Sequence, residues 1–164
     1  MGNGMTNEMR SIVDDLNRTI AGFAEKMRGL TEADWRARPQ PTKWSRIEVI
    51  GHLIDSAHTN LRRLIVGQYE ATPPHLIYNQ DFWVKANAYQ QAPIETVLTL
   101  WILMNHRIAT VLSQMDEQNY SKSCDTGRGE KDLHTLLWLA ADYVKHLKHH
   151  LNQVIPNSYP VTYP

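Results

Sequence analysis

Two histidines near the C-terminal end of the chain, His146 and His150, have the type and spacing to bind a metal ion. They are four positions apart, so on a helix their imidazoles share one face, one turn apart. Helices offer two nitrogen ligands to one metal with this spacing. His149 points roughly 100° away from His150 and does not easily join the same site. A solvated, histidine-rich helix face carries the same pattern, so the pair alone does not distinguish a metal site from such a face.

The apolar residues of the same segment place both histidines at the edge of the protein core. At about 100° per residue, the centre of the apolar stripe falls near Ala140, Leu147 and Leu151. His150 lies about a quarter turn from that centre, and His146 lies somewhat further. Such a position is partly desolvated and still reachable by a substrate, as a metal site on a cleft requires. It also suits a partly exposed boundary histidine with no ligand.

A third ligand must come from another part of the chain. The remaining candidates are His52, His58, His75, His106 and His134. On the second helical segment, His58 lies near the apolar stripe and His52 lies nearly opposite to it. Periodicity alone therefore favours His58 as the buried histidine. His106, on the third segment, is an alternative fourth ligand.

The composition of the chain limits the chemistry of such a site. The 164 residues include eight histidines but one cysteine, Cys124. This excludes an internal disulfide framework, a thiolate zinc finger and an iron–sulfur cluster, so a metal site must use imidazole and carboxylate ligands. Cys124 lies in a predicted loop with no activating base at a fixed spacing, so we predict no nucleophile there.

The charge and hydropathy of the chain indicate which partners to expect. The 17 basic and 17 acidic side chains give a formal net charge of zero. The chain therefore has no excess of positive charge for non-specific binding to nucleic acid or an anionic membrane. No apolar run approaches the ~20 residues that span a bilayer. The N-terminus lacks the basic and then apolar pattern of a secretory signal. We therefore expect a cytoplasmic protein that acts on a small molecule.

Four segments with helical periodicity must position these side chains. They run from about Thr6 to Arg28, Ser45 to Gln68, Pro93 to Met115, and Asp132 to Ile155. Thr6 and Asp132 are predicted N-caps, and Ser45 with Glu48 forms a predicted capping box. Four long helices with long crossovers predict an all-α four-helix bundle. We expect a single domain over residues 1–164, with 155–164 as an extended tail.

The connections between the helices are of different kinds. Residues 29–44 contain two prolines and cannot form a long helix. In residues 69–92, Asp81 could cap a short helix, and the aromatic side chains Tyr78, Phe82 and Trp83 either line a substrate pocket or plug the bundle. Residues 116–131 contain two glycines and are predicted to form a mobile loop. We predict no strand, because no segment alternates convincingly over four or more residues.

Two segments together resemble the motifs of the DinB-like (YfiT-like) superfamily of metalloenzymes. Residues 43–55 read KWSRIEVIGHLID, and in that family a Trp-Ser helix start precedes a His-Leu pair by about two turns. Residues 143–153 read YVKHLKHHLNQ and resemble the family's fourth-helix motif, His-x-x-x-His often followed by Gln. The order and lengths of the four helices also agree, so the resemblance covers nearly the whole chain.

The resemblance implies a metal site formed by His52, His146 and His150, with His52 favoured over His58. Three neutral imidazoles plus water suit zinc or nickel, and also manganese or iron. Characterised relatives include thiol-dependent transferases and isomerases that use low-molecular-weight thiols. The resemblance therefore implies such chemistry or a hydrolysis, in which the metal lowers the pKa of bound water or of a bound thiol. It also implies a homodimer.

Three side chains near the predicted ligands are candidates for proton transfer. Glu48 lies one turn before His52, but the capping box already explains it. Asp55 lies three residues after His52 and could orient an imidazole, although a solvated helix face explains it as well. Tyr143 could donate to a substrate or simply pack. Gln153, one turn beyond His150, could hydrogen-bond a ligand or face solvent.

The sequence thus supports two hypotheses about function. The first is a metal-dependent enzyme with a three-histidine site, a thiol-dependent transferase or a hydrolase of a small molecule. The second is a non-catalytic binding or stress-response module in which the metal is structural or absent, and it is motivated by the lack of an obvious acid–base residue. No glycine-rich phosphate loop and no dinucleotide fingerprint is present in the sequence.

Overall fold

The fold is that of a computed structural model, which describes residues 5–163. Residues 1–4 and 164, which belong to the predicted single domain, lie outside the described residues. The helices are α1 (Asn7–Met27), α2 (Glu32–Arg36), α3 (Arg46–Val66), α4 (Gln80–Ala86), α5 (Ile94–Gln114) and α6 (Leu136–Val154). Two 3₁₀ turns, Tyr89–Gln91 and Glu117–Asn119, and two strands, β1 (Ser123–Asp125) and β2 (Leu133–Thr135), complete the chain.

Three of the four long helices begin at polar caps, two of which the sequence predicts, whereas α5 begins after Pro93 without a side-chain cap. Thr6 Oγ1 accepts a hydrogen bond of 3.3 Å from the backbone N–H of Met9. Ser45 and Glu48 form the predicted capping box at the start of α3. The predicted cap Asp132 is wrong: Thr135 caps α6 instead. Residues 133–135 are committed to β2, so the helix cannot begin before that strand ends.

A small antiparallel hairpin replaces the loop predicted over residues 116–131. Ser123 pairs with Thr135, and Cys124 pairs with His134. Each strand has three residues, which is too short for the alternation that would reveal it in the sequence. Cys124 is fully buried in β1, and burial raises the pKa of its thiol. The hairpin leads the chain directly into α6.

The crossover between α3 and α5 fills one side of the bundle. Asn79, rather than the predicted Asp81, caps α4 by accepting from the backbone N–H of Phe82 at 3.0 Å. Phe82 is 66% exposed, so it does not plug the bundle. Tyr89 is buried instead, and its ring occupies the space above Gly51. Tyr78 lines a cavity, as one of the two alternatives expects, and the packing role belongs to Tyr89.

Helix α3, which corresponds to the second helical segment of the sequence, is buried on nearly every face. It packs against α5 on one side and α6 on the other, and every residue from Ile47 to Ala57 is buried. Arg46 ties the start of α3 to the end of α6, because its Nε donates to the carbonyl of Val154 at 2.8 Å. Side chains that lie opposite the apolar stripe of α3 are therefore still inside the protein.

The segment after α6 folds back over the bundle. Asn152 and Tyr159 exchange two hydrogen bonds of 2.9 Å, and the Tyr159 ring packs against Phe23 with centroids 6.1 Å apart. Tyr163 donates to the carboxylate of Asp142 at 3.0 Å. Among residues 5–163, the structure has no helix whose length and apolar character would let it cross a bilayer.

Candidate metal centre

His52 lies inside the bundle, on the part of α3 that is buried all round. Its side chain is 0% exposed, and the indole of Trp44 packs on its imidazole with ring centroids 4.9 Å apart. Ser45 and Glu48 fix the first turn of α3, so they set the height at which His52 enters the core. The Trp-Ser start and the histidine two turns later thus form one packed unit.

The structure brings His146 and His150 of α6 against His52 of α3. Ring centroids are 5.5 Å apart for His52 and His146, 4.6 Å for His52 and His150, and 4.5 Å for His146 and His150. One nitrogen from each ring lies within 4.8 Å of the other two. We call these three residues the histidine triad. Nitrogens at these separations can converge on a single ion.

The hydrogen bonding of the triad leaves ring nitrogens free. Within the described residues 5–163, neither Nδ1 nor Nε2 of His52 has a hydrogen-bond partner, although both atoms are buried. A buried polar group without a partner costs about 1–3 kcal/mol. His150 Nδ1 lies 2.9 Å from Gln153 Oε1, so it donates to that oxygen and its Nε2 is left to accept or coordinate. Gln153, whose role the sequence left open, therefore orients His150.

Burial keeps the triad neutral. It lowers the pKa of His52 to about 3, with smaller contributions from the charges of His150 and Arg128. The pKa of His146 also lies well below its ordinary value, mainly because of burial. Burial also lowers the pKa of His150, against an opposing effect of the Gln153 hydrogen bond. Neutral imidazoles with unpartnered nitrogens are what a divalent transition metal requires, so these residues fit such an ion.

The other histidines that the structure describes contribute no nitrogen to this cluster. His58 is exposed, with its ring 5.9 Å from that of Trp83, so the periodicity that favours its burial is wrong. The position of the apolar stripe does not predict burial here, because α3 is buried on both faces. His106 is exposed on α5 and does not join the triad. His149 contacts the ring of His150 edge-on but contributes no nitrogen to the cluster.

Two cavities reach the triad from different sides. The larger, of about 800 Å³, is lined by His150 and Gln153 together with Trp44 and Lys43. The smaller, of about 250 Å³, is lined by His146 and, among others, Tyr143. His146 and His150, which are neighbours in the triad, thus open on separate cavities.

The predicted candidates for proton transfer have partners outside the triad. The Glu48 carboxylate accepts from the backbone of Ser45 at 2.9 Å and pairs with Arg38 at 2.5 Å. Tyr143 donates to Asn105 at 2.7 Å in the core. The cap interpretation of Glu48 and the packing interpretation of Tyr143 account for the geometry of both side chains.

Asp55 is buried and takes part in a polar cluster with the crossover. Its Oδ1 accepts from the hydroxyl of Tyr89 at 2.7 Å and from the amide of Asn87 at 3.1 Å, and its Oδ2 has no partner. Asp55 is 2% exposed, so its interpretation as part of a solvated face is wrong. It does not hydrogen-bond His52. Burial raises the pKa of Asp55 to about 6, although the Tyr89 hydrogen bond opposes this.

We expect Asp55→Asn to stabilise the metal-free protein by about 1–2 kcal/mol at pH 8 and by almost nothing below pH 4. The folded protein binds this proton more tightly than the unfolded chain, whose carboxyl has the ordinary pKa of 3.8. The penalty of the buried charge therefore grows as pH rises from about 4 to about 6. Urea unfolding at both pH values measures it. Asp14→Asn, on the exposed face of α1, is the control and should give no such pH-dependent gain.

Comparisons with known proteins agree with this architecture. YfiT from Bacillus subtilis, described as "a probable metal-dependent hydrolase with an unusual four-helix bundle topology", superposes with a TM-score of 0.81 at 20% identity, over 93% of this chain and 87% of YfiT. A mycothiol-dependent maleylpyruvate isomerase superposes with a TM-score of 0.68 at 12% identity, over 96% of this chain and 65% of the isomerase. The predicted four-helix bundle is thereby confirmed.

The sequence itself also matches known proteins. A "Putative metal-dependent hydrolase" of Geobacillus thermodenitrificans (strain NG80-2) is 26% identical over 147 residues, which are 90% of this chain and 78% of that protein. The family model of the DinB superfamily matches residues 15–154, a span that includes all three histidines of the triad. The resemblance inferred from the two motifs is therefore confirmed, and the chain belongs to the DinB superfamily.

Proposed function

We propose that this protein is a metal-dependent hydrolase of a small molecule, and that the histidine triad holds one divalent transition metal, zinc or nickel. One observation carries the proposal: three neutral imidazoles converge to within 4.8 Å, and one of them is fully buried with both ring nitrogens unpartnered. The match to the protein named "Putative metal-dependent hydrolase" supports hydrolysis as the reaction.

The residues around the triad prepare it for this role. When bound, a divalent metal supplies Lewis acidity, which makes an attacking group available at neutral pH. Gln153 holds His150 in one orientation, and Trp44 holds His52 by ring packing. Three protein ligands leave coordination positions open, as catalytic rather than structural sites do. The two cavities give reactants access to the cluster.

Thiol-dependent transfer is the second candidate. The observation that favours it is that His150 and His146 open on different cavities, since a transfer needs room for two reactants at one centre. The larger cavity also carries the cation Lys43, which suits a charged low-molecular-weight thiol. Turnover that depends on an added thiol would identify this reaction, and turnover in its absence would identify hydrolysis.

Metal analysis of the purified protein tests the proposal. We expect one zinc or nickel ion per chain, removable by a chelator and restored by titration. We also expect hydrolysis of ester or amide model substrates to disappear with the metal and to return with it. No stoichiometric metal would contradict the proposal. A stoichiometric ion that exchanges no ligand and supports no turnover would favour the non-catalytic module instead.

A further inference from the structure

The smaller cavity beside His146 is lined by two arginines that form no ion pair with any residue between 5 and 163. They are Arg63 of α3 and Arg128 of the β1–β2 loop. Arg128 is close enough for its charge to lower the pKa of Arg63, after the larger effect of burial. Two like charges that line one cavity repel each other, and an anion between them would relieve this repulsion.

Arg63 is held in place while one of its donors stays unused. Its Nη2 donates to the carbonyl of Leu76, and its Nη1 donates to Asn60 Oδ1 at 3.3 Å. Its Nε is buried and has no partner among residues 5–163. The guanidinium is thus positioned by the fold while each Nη keeps a second N–H, and a carboxylate matches the planar geometry of such a group.

The acidic residues of the cavity are already engaged. Asp132 lies 3.0 Å from the Nε2 of His134, and Asp142 accepts from Tyr163 at 3.0 Å. They do not neutralise the arginines, but their charges make the cavity unfavourable for a dianion. A single carboxylate group therefore suits the balance of charge better than a phosphate does.

We propose that Arg63 and Arg128 bind the carboxylate of a small anionic substrate and direct the rest of it towards His146. This inference rests on the proposed function, because it names the substrate class of the same site. The cavity volume of about 250 Å³ limits the ligand to a small molecule, and Ile77 and Leu139 provide an apolar wall for its body.

Benzoate is the probe, and benzamide is the uncharged control of the same shape. Both are titrated into metal-free protein at pH 7.5, where the triad is neutral and no metal can hold the anion, and the Nε–H signal of Arg63 is followed by NMR. We expect benzoate to bind at least about tenfold more tightly than benzamide and to shift this signal. Equal binding of the two would overturn the proposal, and so would tighter binding of inorganic phosphate.

Variants separate this site from the metal centre. Arg128→Gln, in an exposed loop, should weaken benzoate binding about tenfold and leave zinc uptake unchanged, and Arg63→Met should do the same. Arg62→Met, at the adjacent and exposed position of α3, should bind benzoate like the parent protein. Unchanged benzoate affinity in Arg128→Gln would overturn this inference alone. Failure of zinc binding, with benzoate binding intact, would overturn the proposed function and not the carboxylate site.

Discussion

His52→Leu will lower the affinity for zinc by about a hundredfold or more and will stabilise the metal-free protein. The first effect follows because one of three ligands is lost, and loss of groups that only orient a ligand already costs about 10–100-fold. The second follows because His52 keeps two polar atoms buried without partners, which leucine removes. We expect a gain of about 1–2 kcal/mol, which corresponds to roughly 3–6 °C in the unfolding temperature.

Thermal unfolding with and without zinc measures both effects. At a zinc concentration of about 100 times the dissociation constant, the parent protein should gain roughly 2.7 kcal/mol and the variant almost nothing. His58→Leu is the matched control, since it makes the same substitution on the exposed side of the same helix. It should leave zinc binding intact. Full zinc-induced stabilisation of the His52 variant would show that the triad is not the metal site.

Gly51→Ala will destabilise the protein by about 2–4 kcal/mol, although alanine is normally the better helix former by about 1 kcal/mol. A Cβ at position 51 would lie 2.1 Å from the nearest carbon of the Tyr89 ring. The ring is buried and its hydroxyl is bonded to Asp55, so moving it exposes apolar surface and breaks that hydrogen bond. Steric cost therefore exceeds the gain in helix propensity.

Chemical denaturation compares this variant with two others. Gly22→Ala makes the same change within α1, where a new Cβ meets nothing within 4 Å, and it should stabilise the protein by about 0.5–1 kcal/mol. In the double variant Gly51→Ala with Tyr89→Ala, the cost of the first change should largely disappear. Strictly additive effects of the two changes would mean that the ring and the new methyl group do not collide.

The spacing of His146 and His150 placed both imidazoles on one face of a helix, as the structure has them, because both residues lie on one element. His52 could not be assigned in the same way. Its helix is buried on both faces, so the position opposite the apolar stripe is as deep as the stripe itself. The motif resemblance, rather than periodicity, favoured it over His58, and the structure brings His52 to the pair.

Features that depend on contacts between distant segments were not accessible from the sequence. Gly51 and Tyr89 form a pair through the crossover, and Arg63 and Arg128 line one cavity although they belong to different elements of the fold. The start of α6 was misplaced because three residues of β2 carry no detectable alternation. Local signals such as the Ser45 cap were predicted well, since they need only neighbouring residues.

The distribution of the triad along the chain has a consequence for biosynthesis. His52 emerges early from the ribosome, whereas His146 and His150 belong to the last helix of the bundle, and Arg46 of α3 has its partner Val154 at the end of that helix. Until α6 is available, α3 lacks one of the two long helices that bury it, and the three ligands cannot assemble. The proposed metal is therefore acquired only after α6 has been translated.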